Sequence, residues 1–266
     1  DAAAGSDNCG SLSWSQSPTM GTLLTSGEGV THTVTVTADD GNGNTSTCTV
    51  VLTGADTTPP VPTCESAQTI TLDAECELLV PDLTDGASAS DNCSSSFYWS
   101  QSPTSGTELA SGEGMTHTIT VTVDDTNGNT ATCTVVLTGD DATAPSISCE
   151  SSQTIALNAS CELAVPDLTD GALGSDNCSS LSWSQSPTLG TLLASGEGVT
   201  HTVTVTADDG NGNTSTGTVV LTGDDLTPPV PTCEGAQTIV LDAECDLLVP
   251  DLTDGASATD NCAAGF

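Results

Sequence analysis

The chemistry this chain offers is that of oxygen donors with no base beside them. Asp39-Asp40-Gly41-Asn42-Gly43-Asn44 is echoed by Asp124-Asp125-Thr126-Asn127-Gly128-Asn129 and by Asp208-Asp209 with Asn211 and Asn213. Two further acidic positions recur in step with these turns. One is Asp56, Asp140-Asp141 and Asp224-Asp225, and the other is Asp85 with Asp91 and Asp170 with Asp176. Calcium takes six to eight oxygen ligands, and carboxylates brought together repel unless a cation joins them. Ca²⁺ is therefore the cofactor these residues imply, at the junctions between repeats. The plainer alternative is turn chemistry, since Asp, Asn and Gly populate turns for conformational reasons. None of the loops has the EF-hand pattern.

The chain has 36 Asp plus Glu, no Lys or Arg, and a formal net charge of −36 over 266 residues. An average chain of this length would carry roughly 25–30 Lys and Arg. Nucleic acid as a partner is excluded, because cations must meet the phosphates. Anionic membranes repel such a chain, and no apolar run of about 20 residues offers a membrane-spanning helix. The self-repulsion calls for external cations or for an adaptation to high salt. Twelve cysteines at recurring places indicate a disulfide framework and an extracellular or cell-surface location.

Asp-Asn-Cys recurs at Cys9, Cys93, Cys178 and Cys262, with steps of 84, 85 and 84 residues. Trp14, Trp99 and Trp183 keep that spacing, as do His32, His117 and His201. A period this long is a domain per repeat rather than a solenoid turn. From Val30 to Ala38 apolar residues alternate with threonine, which predicts a half-buried strand. The Asp39–Asn44 turn and a second alternating run from Thr45 to Thr53 complete a hairpin. Leu12 and Trp14 mark another strand. Gln68–Leu72 and Cys76–Val80 read as a further pair joined at Asp73-Ala74-Glu75. No segment has helical periodicity. About seven short strands per repeat, with a Trp on a middle strand, fit an all-β immunoglobulin-like sandwich, repeated in tandem and end to end.

Short proline-bearing linkers set the expected boundaries. Residues 55–139 and 140–223 are complete repeats. Residues 1–54 carry only the later strands of a repeat, and residues 224–266 only the first two strands and the loop after them. Two arrangements account for the partial repeats: a window on a longer array, or completion of one subunit by the first strands of the next. Both make other repeats, or a second copy joined head to tail, the partner.

The stretch Thr58-Pro59-Pro60-Val61-Pro62-Thr63-Cys64, together with Asp124-Asp125-Thr126-Asn127-Gly128-Asn129-Thr130-Ala131-Thr132-Cys133, resembles the hyalin repeat (HYR). That family consists of immunoglobulin-like extracellular modules found in tandem arrays, and the resemblance runs through the whole chain. It implies adhesion or scaffolding without catalysis, and a bond between Cys64 and Cys133. Gly217 stands where the other repeats have Cys48 and Cys133, which leaves Cys149 without that partner.

Each full repeat has four cysteines and three possible connectivities. Given Cys64–Cys133, elimination pairs Cys76 with Cys93, Cys161 with Cys178, and Cys245 with Cys262. A straight nine-residue strand would hold Cys76 and Cys93 about 30 Å apart, against roughly 5.5 Å between Cα atoms in a disulfide. The alternative takes Cys76 to Cys178 of the following repeat. In a fibre of complementing subunits, Cys233 can bond Cys48 of a neighbour.

The histidines are single residues on inward-facing strand positions, and the tryptophans read as core. The outward threonines (Thr31, Thr33, Thr35 and Thr37, continued by Thr45, Thr47 and Thr49) suit a solvent face. A flat face of this kind can also bind glycans or ice. Serine, histidine and aspartate show no spacing beyond the repeat itself, so the chain reads as a non-enzyme. The resulting expectation is the structural subunit or shaft of an extracellular filament, stalk or adhesin. The alternative is a repeat module that binds glycan through its threonine face.

Overall fold

The computed structural model describes residues 3–262. Alternation is realised directly. In Thr116–Asp124 the odd-numbered apolar residues Ile119, Val121 and Val123 are buried, while Thr116 and Thr118 face solvent. This strand pairs antiparallel with Thr130–Asp140 across the Asp124–Asn129 turn. The pairing repeats in Thr200–Asp208 with Thr214–Asp224 and in Thr31–Asp39 with Thr45–Thr53. No helix occurs among the described residues.

The chain divides into two compact units, Asp1–Ile70 with Glu77–Gly139, and Thr71–Cys76 with Asp140–Phe266. The first contains a three-stranded sheet, Ser13–Ser17, Thr31–Asp39 and Thr45–Thr53. Its four-stranded sheet runs Gln68–Thr71, Thr130–Asp140, Thr116–Asp124, Tyr98–Ser102. Two small ladders accompany it, Val61–Thr63 with Ser88–Ser90 and Glu77–Leu79 with Glu108–Ala110. The second unit repeats this plan. Gln153–Ala156, Thr214–Asp224, Thr200–Asp208 and Ser182–Ser186 form its four-stranded sheet, with the first strand added parallel. Its ladders are Ser146–Ser148 with Leu173–Ser175 and Glu162–Ala164 with Leu192–Ala194. Val230–Thr232 pairs with Ser257–Thr259.

Leu163, Val165 and Leu168 pack on Val203, Val205, Val219 and Leu221 as one apolar cluster, with Trp183 half-buried against it. Leu78, Val80, Leu83, Val135 and Leu137 are buried in the same way in the first unit. Gln101 and Gln185 close the loops beside these cores. Gln101 Oε1 accepts from the Leu83 N–H at 2.7 Å, and its Nε2 donates to the Pro81 carbonyl at 2.9 Å. Gln185 does the same for Leu168 and Pro166.

Gln68–Leu72 and Cys76–Val80 do not form the hairpin that their sequence suggests. Gln68–Thr71 joins the edge of the four-stranded sheet and Glu77–Leu79 pairs with Glu108–Ala110. The connection crosses between layers, through a turn in which the Cys76 N–H donates to the Asp73 carbonyl at 3.1 Å. Cys76 sits there at φ 62, in the left-handed region.

That turn also decides the disulfides. Cys64 bonds Cys133. Cys76, however, bonds Cys178, and Cys161 bonds Cys262, with Cα separations of 5.0 and 4.9 Å. The pairings Cys76–Cys93, Cys161–Cys178 and Cys245–Cys262 are therefore corrected. A cysteine on a layer-crossing turn is carried away from the Asp-Asn-Cys loop of its own repeat and meets that loop in the repeat that follows. Cys9, Cys48, Cys93, Cys149, Cys233 and Cys245 form no disulfide within the chain.

A Cβ placed on Gly217 would lie 2.3 Å from Cys149 Sγ, so the sulfur occupies the space where the other full repeat has its bridge. Gly217→Cys should close that bridge with a small rotation of Cys149. The expected gain is about 2–4 kcal/mol. It should appear as a rise in Tm without reductant and vanish with dithiothreitol. An unchanged Tm, with no fewer titratable thiols than the six free cysteines and the introduced one, would show that the slot cannot close.

Candidate functional site

Two sets of three aspartates converge, one in each unit. Asp56, Asp91 and Asp125 each bring a carboxylate oxygen within 4.8 Å of the others, and so do Asp141, Asp176 and Asp209. Each residue comes from a different segment: the linker entering the repeat, the Asp-Asn-Cys loop and the hairpin turn. Asp56, Asp125, Asp141 and Asp209 are buried.

Amides hold these carboxylates in place of bases. Asp125 Oδ1 accepts from the Asn127 and Asn129 N–H groups at 2.8 and 3.0 Å, and its Oδ2 accepts from Asn129 Nδ2 at 2.7 Å. Asp209 repeats this with Asn211 and Asn213. Asn127 Nδ2 bridges Asp56 Oδ2 at 3.3 Å and Ser94 Oγ at 2.7 Å. Its counterpart Asn211 bridges Asp141 Oδ2 at 3.0 Å and Ser179 Oγ at 2.6 Å. Asp91 Oδ1 accepts from the Cys93 and Ser94 N–H groups, which leaves Asp91 Oδ2 buried without a partner. Asp176 is held in the same way and its Oδ1 is likewise unpartnered.

A buried acceptor with nothing to accept from is costly, and here it occurs twice at one position of two identical constellations. Burial alone would raise the pKa of Asp125, but the bonds from the Asn129 side chain and the Asn129 and Asn127 backbones outweigh it and leave the carboxyl below its ordinary value. Asp209 is lowered through Asn213 and Asn211 against the same opposition. Asp125 and Asp209 are therefore held in the ionised form at neutral pH. Desolvation and the nearby Asp56, Asp91 and Glu28 push the Cys93 thiol up.

The remaining predicted ligands lie elsewhere. Asp124 and Asp208 cap their own turns, through the Thr126 and Gly210 N–H groups at 2.7 Å. Asp140 and Asp224 serve through backbone carbonyls, which accept from Leu72 and Leu157. Asp85 and Asp170 are exposed and outside both clusters. The Asp39 and Asp40 carboxylates accept from Gly41, Asn42 and Asn44 of their own turn. Asp225 accepts from Thr227 and donates its N–H to Glu197. Ser94, Ser179 and Glu28 were not anticipated. Glu28 Oε2 accepts the Asp56 N–H at 2.5 Å, across 28 residues of sequence that carry no local signal for the contact.

The histidines stay apart from the carboxylates. His32 Nε2 lies 3.0 Å from the Thr25 carbonyl and His117 Nε2 3.3 Å from Ser111 Oγ, while His201 Nε2 is buried without a partner. Trp14, expected in a core, is 43% exposed.

The strand order, the Cys64–Cys133 bridge and the aspartate–asparagine turn all occur within one segment, and that segment matches the HYR domain family. Residues 55–138 match the HYR domain. An HYR domain speaks for an extracellular repeat protein of the adhesion type, and the modules of this family are not catalytic. No curated protein is similar enough in sequence to be counted as a relative.

Among solved structures, "PcdhgB3 EC1-4" is 19% identical, covering 81% of this chain and 67% of that one, with a TM-score of 0.36. "Protocadherin Gamma B7 extracellular cadherin domains 1-4" is 18% identical, covering 72% and 57%, with a TM-score of 0.34. Drosophila N-cadherin EC1-4 is 13% identical, covering 75% and 59%, with a TM-score of 0.35. The chain spans less than two thirds of the length of the last two. With TM-scores this low, nothing about binding or assembly follows from the likeness.

Asn129→Ala removes one side-chain donor from Asp125. In chelator, the Asp125 pKa should move up towards the ordinary carboxylate value, as read by carboxyl-carbon NMR titration. A carboxyl depressed in the folded state stabilises fully above its unfolded pKa of about 3.9, and the contribution is lost as pH falls through the folded value. Asn129→Ala should therefore narrow the difference in stability between pH 5 and pH 2. An unmoved Asp125 titration would deny the role given to Asn129.

Proposed function

We propose that this chain is a structural subunit of an extracellular filament, stalk or adhesin shaft, whose β-sandwich repeats are stiffened by disulfides and by Ca²⁺ at the linker ends of the repeats. The observation that carries the reading is the pair of buried three-aspartate clusters in a chain with no Lys or Arg. Asp56, Asp91 and Asp125 would hold one ion, and Asp141, Asp176 and Asp209 the other. Hard oxygen donors with free lone pairs are the set that Ca²⁺ selects. Bound there, the cation would neutralise like charges that otherwise repel, and would tie linker, loop and hairpin turn into one pole of the repeat.

The disulfides act along the chain in a complementary way. Cys64–Cys133 closes a single repeat, whereas Cys76–Cys178 and Cys161–Cys262 span 102 and 101 residues. Such bonds resist unravelling, and the sequence offers trypsin no Lys or Arg to cut. The partner in this reading is a further set of the same repeats, met head to tail.

Calcium titration followed by calorimetry tests the reading. Ca²⁺ should raise Tm by several degrees, chelator should reverse the rise, and Mg²⁺ should do less. Asp91→Asn with Asp176→Asn should abolish most of the shift while leaving the disulfides intact. Electron microscopy should show elongated particles that lose stiffness in chelator. Short particles and a Tm indifferent to Ca²⁺ would overturn the reading.

A further inference from the structure

The turn of residues 72–76 reaches the second aspartate cluster from two sides. It belongs to the same compact unit as that cluster. On one side the Leu72 N–H donates to the Asp140 carbonyl at 3.0 Å, next to the cluster residue Asp141. On the other, the Asp73 carbonyl accepts from Asn177 Nδ2 at 2.8 Å, next to the cluster residue Asp176. The Cys76–Cys178 disulfide fastens the turn to the same loop. Cys178 is itself bonded to the cluster, because its N–H donates to Asp176 Oδ2 at 2.9 Å. The turn thus ties residue 140 of the linker to residues 177 and 178 of the loop, and the spacing of Asp141 and Asp176 depends on it.

The fastened loop holds oxygens that packing alone does not use. Asp176 Oδ1 and Asn177 Oδ1 are both buried with no hydrogen-bond partner among the described residues, which is costly unless a ligand meets them. Cys76 sits at φ 62, a conformation that costs a side-chain-bearing residue about 1 kcal/mol or more and that persists only where its surroundings fix it. Ligands fixed in advance bind more tightly, because less conformational freedom is lost when the ion arrives.

We propose that the Cys76–Cys178 disulfide is a positioning device for the cation at Asp141, Asp176 and Asp209, and that its reduction lowers the affinity of that site for Ca²⁺. The proposal rests on the calcium reading above and adds its regulation. Both cysteines are half-buried, so a thiol can reach them. A dithiol reductant breaks the S–S bond, gives two electrons and two protons to the two sulfurs, and leaves as a cyclic disulfide. The loop after Asp176 then keeps its backbone bonds and loses its covalent tie. Loss of a group that orients metal ligands lowers affinity about 10–100-fold. Linkage makes the effect reciprocal, so bound Ca²⁺ disfavours reduction of this bond by the same factor. A tenfold effect is about 30 mV in the two-electron potential.

Calorimetric titration with Ca²⁺ in an Asp91→Asn background reads the second cluster. Cys76→Ser with Cys178→Ser should weaken that binding about 10–100-fold. Cys161→Ser with Cys262→Ser removes the other bridge of the unit and should weaken it far less. The unsubstituted chain is also equilibrated in oxidised and reduced dithiothreitol, alkylated and mapped. Its Cys76–Cys178 peptide should persist to more reducing ratios when Ca²⁺ is saturating, and this measurement decides the matter if the serine variant fails to fold. Equal affinities with and without the bridge, equal losses from the two serine pairs, or a reduction midpoint indifferent to Ca²⁺ overturn the proposal and leave the calcium reading standing. An oxidised chain that takes up no Ca²⁺ overturns both.

Discussion

A folded chain with no Lys or Arg, and with its three histidines away from the acidic clusters, must meet every buried negative charge with an N–H group or with an ion from outside. The rest of this structure depends on that constraint. An unpaired buried carboxylate costs several kcal/mol, yet Asp56, Asp125, Asp141 and Asp209 are buried. Asparagine and backbone donors hold two of them in the ionised form. The donors run out at Asp91 Oδ2 and Asp176 Oδ1, which is where a divalent cation would complete the balance. The asparagines of the hairpin turns are thus electrostatic elements as well as turn formers.

The cores are modest, and the disulfides offset this. Each full repeat buries a few Leu, Val and Ile residues between a four-stranded sheet and two short ladders, as expected of a small domain. Thr126 takes φ 67 where the sister turns have Gly41 and Gly210, a conformation that costs a side-chain-bearing residue about 1 kcal/mol or more. Its turn closes nonetheless through the Asp125–Asn129 bonds. The carboxylate–amide network therefore overrides local backbone preference.

Much of this was legible in the sequence, and the failures have physical causes. Alternation in Thr116–Asp124 and its copies identified the central strands, because one face is buried and the other is not. The aspartate–asparagine turns pointed to oxygen-donor sites, and within each set the structure brings together one residue from linker, loop and hairpin. Which aspartate of each pair turns inward was not legible: Asp125 is buried while Asp124 caps its turn, a choice set by strand register. The Cys76 pairing failed because two adjacent strands look like a hairpin in sequence, whereas the left-handed turn at Cys76 sends them to different layers. Glu28 and Ser94 were missed because their contacts span 28 and 33 residues and leave no local pattern.

Anomalous diffraction from the chain crystallised with Ca²⁺ is the most direct test of the constraint. The account predicts density for one or more ions among Asp56, Asp91 and Asp125 and again among Asp141, Asp176 and Asp209, in contact with Asp91 Oδ2 and Asp176 Oδ1. Clusters free of anomalous density at millimolar Ca²⁺, with those two oxygens protonated or bonded to water alone, would contradict it.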